Sequence, residues 1–255
     1  MYLNFIPIFF LICCSNILFD TISESKKITQ LCMKKVKNEI NPLYIPKNKN
    51  QDNYVKILND EKIKIVISTG PAGCGKTLLS TQKAVNELMN NNINKIIITR
   101  PIVTVDEEIG FLPGTMIQKM DPWIKPIFDI FMDFYSKQEL DKMFSDGTIE
   151  ICPLAFMRGR TFKHSFIIAD EMQNSSPNQM KMLVTRIGDN CKMVITGDLE
   201  QTDLIKENGL YDFTKRFEKI NKNDDILDSI KYIKFDNNDI ERSDIVKKVI
   251  KLYDN

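Results

Sequence analysis

The sequence predicts an α/β fold in which a mainly parallel sheet is covered by helices on both faces. From about residue 51 onward, short β-branched runs alternate with stretches whose apolar residues recur at helical spacing. At 255 residues and 43% hydrophobic content, the chain is long enough for one such domain with a substantial core. We therefore expect a single domain over 51–255, preceded by an extension over 1–50.

The predicted elements begin with a β-branched run over 63–67, which is long enough for a buried strand. The apolar residues over 78–89 have helical spacing, and a second strand is predicted over 95–99. The later predicted elements are an amphipathic helix over 127–134, strands over 148–152, 166–169 and 193–196, and a terminal helix over 245–253, with loops over 110–114 and 221–225.

Charge and cysteine content narrow the functional classes. The formal net charge is +1, so any contact with nucleic acid would have to come from local basic patches. The six cysteines form no C-x-x-C pair. This pattern is more typical of reduced intracellular thiols than of a disulfide framework or a zinc site.

The first 50 residues combine an apolar leader with a basic stretch. The apolar run over 5–14 has the length of a signal-peptide core and is short for a membrane span, but no lysine or arginine precedes it. Residues 21–50 carry seven lysines against two glutamates. A targeting segment, an anchor and an untargeted extension all stay open. The compartment is therefore cytoplasmic or organellar, and membrane contact is expected only if the leader is retained.

Residues 70–77 read G-P-A-G-C-G-K-T, a phosphate-binding pattern placed between a predicted strand and a predicted helix. The glycines let backbone N–H groups face phosphate oxygens, and the helix N-terminus adds partial positive charge. We expect Lys76 to reach the β- and γ-phosphates of a nucleotide and Thr77 to hold Mg²⁺. The alternative is a chance glycine-rich turn. The predicted nucleotide-binding residues of this loop are Gly70, Pro71, Ala72, Gly73, Cys74, Gly75, Lys76 and Thr77.

Two adjacent carboxylates, Asp170 and Glu171, directly follow the predicted strand over 166–169. A carboxylate at a strand end is where a phosphate-loop enzyme needs one to orient its Mg²⁺ shell. On that logic Asp170 takes the metal and Glu171 polarises the attacking water. The alternative is an acidic helix N-cap, which both residue types favour.

Gln201 ends a third polar cluster, over 197–201, after the strand predicted at 193–196. A glutamine there can sense the γ-phosphate and the attacking water, because its amide offers both a donor and an acceptor. The alternative is an ordinary strand-to-loop turn, which Gly197 and Asp198 also favour.

Taken in order, seven sequence blocks resemble those of the PhoH-like ATPase family, relatives of the superfamily 1 helicase motor domain. The resemblance runs from about residue 51 to residue 253. Its blocks are the loop at 70–77, Thr-Arg-Pro at 99–101, Gly-Phe-Leu-Pro-Gly at 110–114, Pro-Leu-Ala-Phe-Met-Arg-Gly-Arg-Thr-Phe at 153–162, Asp-Glu-Met-Gln-Asn at 170–174, Gln-Met-Lys-Met-Leu-Val-Thr-Arg-Ile-Gly at 179–188 and Gly-Asp-Leu-Glu-Gln-Thr-Asp at 197–203.

The resemblance implies a RecA-like P-loop NTPase core that hydrolyses ATP with Mg²⁺ and associates with RNA or another single-stranded nucleic acid. It also places Gln51 where related motors recognise adenine with a glutamine. Two positions depart from the family pattern, since Cys74 stands where threonine is usual and Ser243 where histidine is usual. Position 74 contributes its backbone N–H to the loop, so we expect nucleotide binding to survive the first change.

Arginines in these blocks are candidates for stabilising the charge that builds on the γ-phosphate. They are Arg100, Arg158, Arg160 and Arg186, of which Arg186 is our catalytic candidate. The chain after Asp198 is too short for the second motor domain from which similar helicases draw such arginines. Either an arginine acts within the chain or a neighbouring subunit donates it. The resemblance favours a homo-oligomer, a hexameric ring, whereas the plain alternative is surface salt bridges.

Basic residues and aromatic residues interleave over 156–163, as a surface for single-stranded nucleic acid requires. Arg158, Arg160 and Lys163 supply the charge, and Phe156 and Phe162 supply the rings. The alternative is a loop that packs its aromatics on the core.

The overall hypothesis is a Mg²⁺-dependent ATPase coupled to RNA binding or remodelling. A small-molecule kinase and a nucleotide-gated binding module with little turnover are the competing hypotheses.

Overall fold

A computed structural model describes residues 43–101, 125–201, 208–220, 224–241 and 245–246. In this part of the chain six strands form one sheet in the order β3-β2-β4-β5-β1-β6, and every pairing is parallel. The strands are β1 (Ile65–Thr69), β2 (Lys95–Thr99), β3 (Ile149–Ile151), β4 (Ser165–Ala169), β5 (Lys192–Gly197) and β6 (Ile230–Lys234).

Helices connect the strands, as parallel pairing requires. The helices are α1 (Lys49–Asn59), α2 (Lys76–Met89), α3 (Lys137–Ser145), α4 (Pro177–Val184), α5 (Gly209–Glu218) and α6 (Ile226–Ser229), with a further helical stretch over 125–132 and 3₁₀ turns at Leu154–Met157, Met172–Asn174 and Asn237–Asp239.

The sheet is buried on both faces. Ile96 and Ile98 of β2 pack into a core formed with α1, α2 and α3, whereas Ile97 packs into a second core formed with α4 and α5. Because successive side chains of a strand point to opposite faces, one β-branched run supplies both cores. The α/β class and the helices on both faces are confirmed.

The strand order brings the sequence blocks together at one edge of the sheet. β5 lies between β1 and β4, so the segments after all three strands begin side by side. The N–H of Gly70 donates to the carbonyl of Gly197 at 3.2 Å, and the N–H of Asp170 donates to the carbonyl of Thr99 at 3.0 Å. Residues far apart in sequence therefore share this carboxyl edge, where open parallel sheets bind ligands.

Every predicted strand exists in the structure, with bounds that differ by no more than two residues. The sequence pattern missed β6 and the helices α1, α3, α4, α5 and α6. β6 reads Ile-Lys-Tyr-Ile-Lys, without the continuous β-branched run of the central strands, and it is an edge strand that pairs with β1. The loop predicted over 110–114, most of the helix predicted over 245–253 and the leader over 5–14 lie outside the described residues.

None of the helices within the described ranges is both long enough and apolar enough to cross a membrane.

Gly70 joins β1 to the phosphate-loop segment in a backbone conformation that only glycine adopts easily, with φ +142°. A Cβ built there would lie 2.6 Å from the carbonyl oxygen of Phe235 and 2.7 Å from its Cβ. Phe235 is buried, and its N–H donates to the carbonyl of Thr69 at 2.7 Å. We therefore expect Gly70→Ala to lower the free energy of unfolding by about 2–4 kcal/mol, measured by urea denaturation.

Gly159→Ala is the matched control for this substitution. Gly159 also has positive φ, +79°, but a Cβ there would meet no atom within 4 Å. Its cost should be limited to backbone strain of about 1–2 kcal/mol. Equal destabilisation by the two variants would show that the contact with Phe235 contributes nothing.

Candidate active site

The loop over 70–77 curls between β1 and α2 at the carboxyl edge of the sheet. Gly73 and Gly75 have φ of +94° and +82°, and Gly75 is the N-cap of α2. No side chain caps α2, whereas α1, α3, α4 and α5 are each capped by a serine or an asparagine. The first N–H groups of α2 are therefore left for a ligand, and an anion is the ligand that they favour.

Lys76 folds back over the loop. Its ammonium donates to the carbonyls of Gly70 at 2.6 Å and Pro71 at 2.8 Å. Burial lowers the pKa of Lys76, and the carboxylates of Asp198 and Asp170 oppose that shift. The loop thus holds a partly buried cation beside acidic groups. An entering phosphate can replace the two carbonyls as the acceptor for this ammonium.

Thr77 and Asp170, the predicted metal ligands, are brought together. The hydroxyl of Thr77 donates to Oδ1 of Asp170 at 2.9 Å, and the hydroxyl of Thr196 donates to the same oxygen. Asp170 is 8% exposed. Two hydroxyls on neighbouring elements therefore fix the orientation of this carboxylate.

The donor set at this point fits Mg²⁺ better than a metal held entirely by protein. Within the described ranges, no three histidine, cysteine or acidic side chains cluster as metal ligands. Thr77 and Asp170 supply one hydroxyl and one carboxylate, and Mg²⁺ is usually bound by one or two carboxylates together with substrate phosphates and water.

Glu171 has a strained backbone, and neighbouring polar side chains fix the orientation of its carboxylate. Its φ is +53°, which is uncommon for a residue with a Cβ and tends to occur at functional sites. The side-chain amide of Gln173 donates to Oε2 of Glu171 at 2.6 Å, and a guanidinium nitrogen of Arg100 lies 3.7 Å from Oε1. Glu171 occupies the N-cap position of the turn Met172–Asn174 without capping it. The acidic N-cap alternative therefore does not describe what this side chain does.

Gln173 ties the acidic pair to the end of β5. It is 2% exposed, and its side-chain oxygen accepts the N–H of Asp198 at 3.1 Å while its amide nitrogen donates to Glu171. The sequence pattern gave Gln173 no role, although it lies two residues after Glu171. Its contribution depends on β4 and β5 being neighbours, which no local pattern encodes.

A cavity of about 470 Å³ opens between the loop, the ends of β2, β4 and β5, and the helical stretch over 125–132. Gln201 lines this cavity and also forms the turn predicted as the alternative, because its N–H donates to the carbonyl of Asp198 at 3.3 Å. The predicted site residues on the cavity wall are Ala72, Gly73, Gly75, Lys76, Thr77, Asp170, Glu171 and Gln201.

Gln51 lies behind the loop and outside the lining of the cavity. Its amide nitrogen donates to the carbonyl of Cys74 at 3.2 Å, and its oxygen accepts the N–H of Lys47 at 2.8 Å. Tyr54, one helical turn later, donates from its hydroxyl to the carbonyl of Lys76 at 3.2 Å. Gln51 and Tyr54 thus support the loop backbone from α1, and adenine recognition by Gln51 stays a prediction.

Cys74 is buried against the segment after β6, where its thiol lies 3.8 Å from the carbonyl oxygen of Asp236. Burial raises the pKa of this thiol to about 11, so it stays neutral at physiological pH. A threonine-to-cysteine change is compatible with this position, because the side chain faces away from the cavity lining.

Arg186 is not brought to the cavity of its own chain. Its guanidinium donates to the carbonyls of Met182 and Arg160, both at 3.1 Å. Its carbonyl accepts the N–H of Phe162, at the amino edge of the sheet. Among the arginines that the structure describes, Arg100 lines the cavity. Donation of Arg186 to a neighbouring subunit stays a prediction.

The profile of the family described as PhoH-like protein matches residues 44–254. The PhoH-like protein of Bacillus subtilis (strain 168) is 43% identical over 192 residues, covering 74% of this chain and 58% of the relative. The PhoH-like protein of Mycobacterium tuberculosis H37Rv is 46% identical over 159 residues, covering 62% and 45%. Protein PhoH of Escherichia coli K12 is 35% identical over 219 residues, covering 82% and 58%. The chain spans about half the length of the curated relatives it matches.

Two solved structures show weaker similarity. The Sulfolobus solfataricus SWI2/SNF2 ATPase core in complex with dsDNA is 15% identical, with a TM-score of 0.36, over 62% of this chain and 34% of that one. The DnaC helicase loader is 13% identical, with a TM-score of 0.33, over 78% of this chain and 99% of that one.

Proposed function

The chain belongs to the PhoH-like protein family, and from that premise we propose that this P-loop NTPase is a Mg²⁺-dependent ATPase. The observation that carries the proposal is the arrangement of the two carboxylates at the cavity. Asp170 is bonded to Thr77 of the phosphate loop, while Glu171 is held apart from it by Gln173 and Arg100. This separation supports a metal-binding role for Asp170 and a water-activating role for Glu171.

Nucleotide binding is assigned to the loop and the start of α2. Backbone N–H groups over 70–77 receive the phosphates, and Lys76 exchanges the carbonyls of Gly70 and Pro71 for phosphate oxygens. Thr77 and Asp170 would hold Mg²⁺, which neutralises charge on the phosphates when bound. Asp170 is already oriented by Thr77 and Thr196, so little reorganisation is required.

Hydrolysis is assigned to Glu171, with Gln173 as its positioning residue. The Glu171 carboxylate accepts a proton from the attacking water, and the amide of Gln173 fixes the carboxylate. Gln201 lines the same cavity, where its amide can contact the water and the terminal phosphate. Arg100 also lines this cavity beside Glu171, where its guanidinium can respond to negative charge in addition to Lys76.

Coupling to RNA or another single-stranded nucleic acid, and assembly into a homo-oligomer, are further parts of the proposal. Family membership supports both parts. Arg186 bears on the second part, because it is remote from the cavity of its own chain and would act only on the cavity of a neighbouring subunit. A hexameric ring is the expected assembly, and sedimentation of the full chain with and without ATP measures it.

Phosphate release from Mg²⁺-ATP without any acceptor tests the proposal directly. We expect release that stops when the metal is chelated. Phosphate transfer that requires an added small-molecule acceptor would identify a kinase instead. ATP-dependent assembly without release would identify a nucleotide-gated binding module.

A further inference from the structure

The surface formed by the segments over 151–164 and 172–188, on either side of buried β4 and the acidic pair Asp170 and Glu171, has no acidic residue of its own. These two segments contain five lysines and arginines and no aspartate or glutamate, whereas the chain as a whole carries 34 acidic residues in 255. The segments pack together, since the N–H of Phe162 donates to the carbonyl of Arg186 at 2.9 Å. A local basic surface on a chain of net charge +1 indicates a polyanionic partner.

Three side chains of this surface are already engaged. Arg160 is paired with Glu150 and lies over the ring of Phe162 at 4.6 Å, and Lys163 is paired with Asp189 at 2.9 Å. Phe162 is only 5% exposed. Fewer side chains than the sequence predicted are therefore available on this surface to contact a nucleic acid.

Phe156 and Arg158 are the groups that this surface presents to solvent. Phe156 is 58% exposed, on a single turn of 3₁₀ helix in which Leu154 and Met157 are buried and Ala155 is exposed. Arg158 is exposed, and the ion pairs among the described residues do not include it. An exposed ring and an exposed guanidinium two residues apart are the two groups that single-stranded nucleic acid requires, a surface for base stacking and a cation for phosphate.

A groove of about 340 Å³ is lined by Arg158 and by Ala155, the residue next to Phe156 on the same turn. Its walls are Ala155 and Arg158 on one side and Asn178, Gln179 and Met182 of α4 on the other. The apolar Ala155 and Met182 can contact a base face, while the side-chain amides of α4 can contact base edges.

We propose that this groove binds single-stranded nucleic acid, with a base stacked on Phe156 and a backbone phosphate paired with Arg158. The inference rests on the proposed ATPase function, since it names the surface through which a polymer would act on the site. A duplex is excluded as the preferred ligand, because its bases are already stacked and cannot reach an aromatic ring.

The groove is joined to the catalytic carboxylate through a short, buried segment. α4 begins at Pro177, directly after the turn Met172–Asn174 that Glu171 opens and in which Gln173 holds the carboxylate. The carbonyl of buried Ser175 accepts the N–H of Gly209 of α5 at 2.6 Å, which fixes this segment. A bound nucleic acid that shifts α4 would therefore also shift Glu171. We expect the bound polymer to change the rate of ATP hydrolysis.

Fluorescence anisotropy with a labelled 12-nucleotide oligo-U RNA and the matching DNA tests the proposal on the full chain, at 50 and 200 mM salt. We expect Phe156→Leu, which keeps an apolar side chain, to weaken binding about 5- to 100-fold. Arg158→Gln should weaken binding and reduce the salt slope by about one. Binding of either polymer supports the proposal, and the one that binds more tightly shows whether the groove prefers RNA or DNA.

Lys163→Gln is the matched control, because it removes an equal charge that is already paired with Asp189 in the same segment. It should leave binding within about 2-fold, since an exposed ion pair contributes little. Basal ATPase without polymer should be unchanged in Phe156→Leu and Lys163→Gln, and equal thermal unfolding would show that all three variants are folded.

Two results would overturn the proposal: absence of single-strand binding by the wild-type chain, or equal binding by wild type and Phe156→Leu. The second result would assign the exposed ring to a protein partner instead. Loss of binding in the variants, in a chain without ATPase activity, would support the groove while contradicting the ATPase function. The two proposals therefore fail separately.

Discussion

Glu171→Gln is expected to lower the rate of ATP hydrolysis by about 10²- to 10⁴-fold while ATP binding changes little. Glutamine has the same shape, but its amide cannot accept the proton of the attacking water. Binding should persist because the phosphate loop contacts Asp170, not Glu171, through the Thr77 hydroxyl. Single-turnover phosphate release measures the first quantity, and titration with a fluorescent ATP analogue measures the second.

Glu200→Gln is the control for this substitution. Glu200 is exposed, lies one residue before Gln201, and does not line the cavity. The same charge change there should leave both hydrolysis and binding unchanged. If Glu171→Gln hydrolyses ATP at the wild-type rate, another group activates the water. If it loses ATP binding in parallel, Glu171 supports the nucleotide rather than the chemistry.

The strand-end motifs were predictable from the sequence because each is local. To predict a site from a glycine loop after one buried strand and two carboxylates after another requires only one rule. The rule is that the carboxyl ends of parallel strands lie at the same edge of the sheet. The partnership of Thr196 with Asp170 was not predictable, since it requires β4 and β5 to be neighbours. Strand order follows from the whole core, in which no single segment determines its own neighbours.

The two arginines Arg100 and Arg186 show the same limit. Both lie within a predicted motif block, and composition does not separate them. Arg100 follows β2 directly and so lies at the carboxyl edge, whereas Arg186 follows α4, which returns to the amino edge. The direction of the preceding element decides which arginine faces the cavity. Only the three-dimensional path of the chain gives that direction.

Lys76→Ala is expected to weaken ATP affinity about 10- to 100-fold, because a charge-assisted contact to phosphate is lost. ATP hydrolysis should fall by about 10²- to 10³-fold, since the same ammonium faces charge that grows during the reaction. The measurements are ATP titration and steady-state phosphate release. Lys83→Ala is the control, because Lys83 lies on α2 but pairs with Glu87, away from the cavity lining.

The same variant should separate ligand binding from fold stability. Burial lowers the pKa of Lys76, so the folded state disfavours its proton more than the unfolded state does. Between that lowered pKa and the ordinary value of 10.5, the unfolded chain binds more protons, and the stability of wild type should rise with pH. Lys76→Ala should lack this rise and should not be less stable than wild type near neutral pH. At a Mg²⁺-ATP concentration of 100 times the wild-type Kd, the stabilisation by nucleotide should fall from about 2.7 kcal/mol in wild type to about 0.4–1.4 kcal/mol in the variant. A variant that is markedly less stable without nucleotide would instead assign Lys76 a structural role through Gly70 and Pro71.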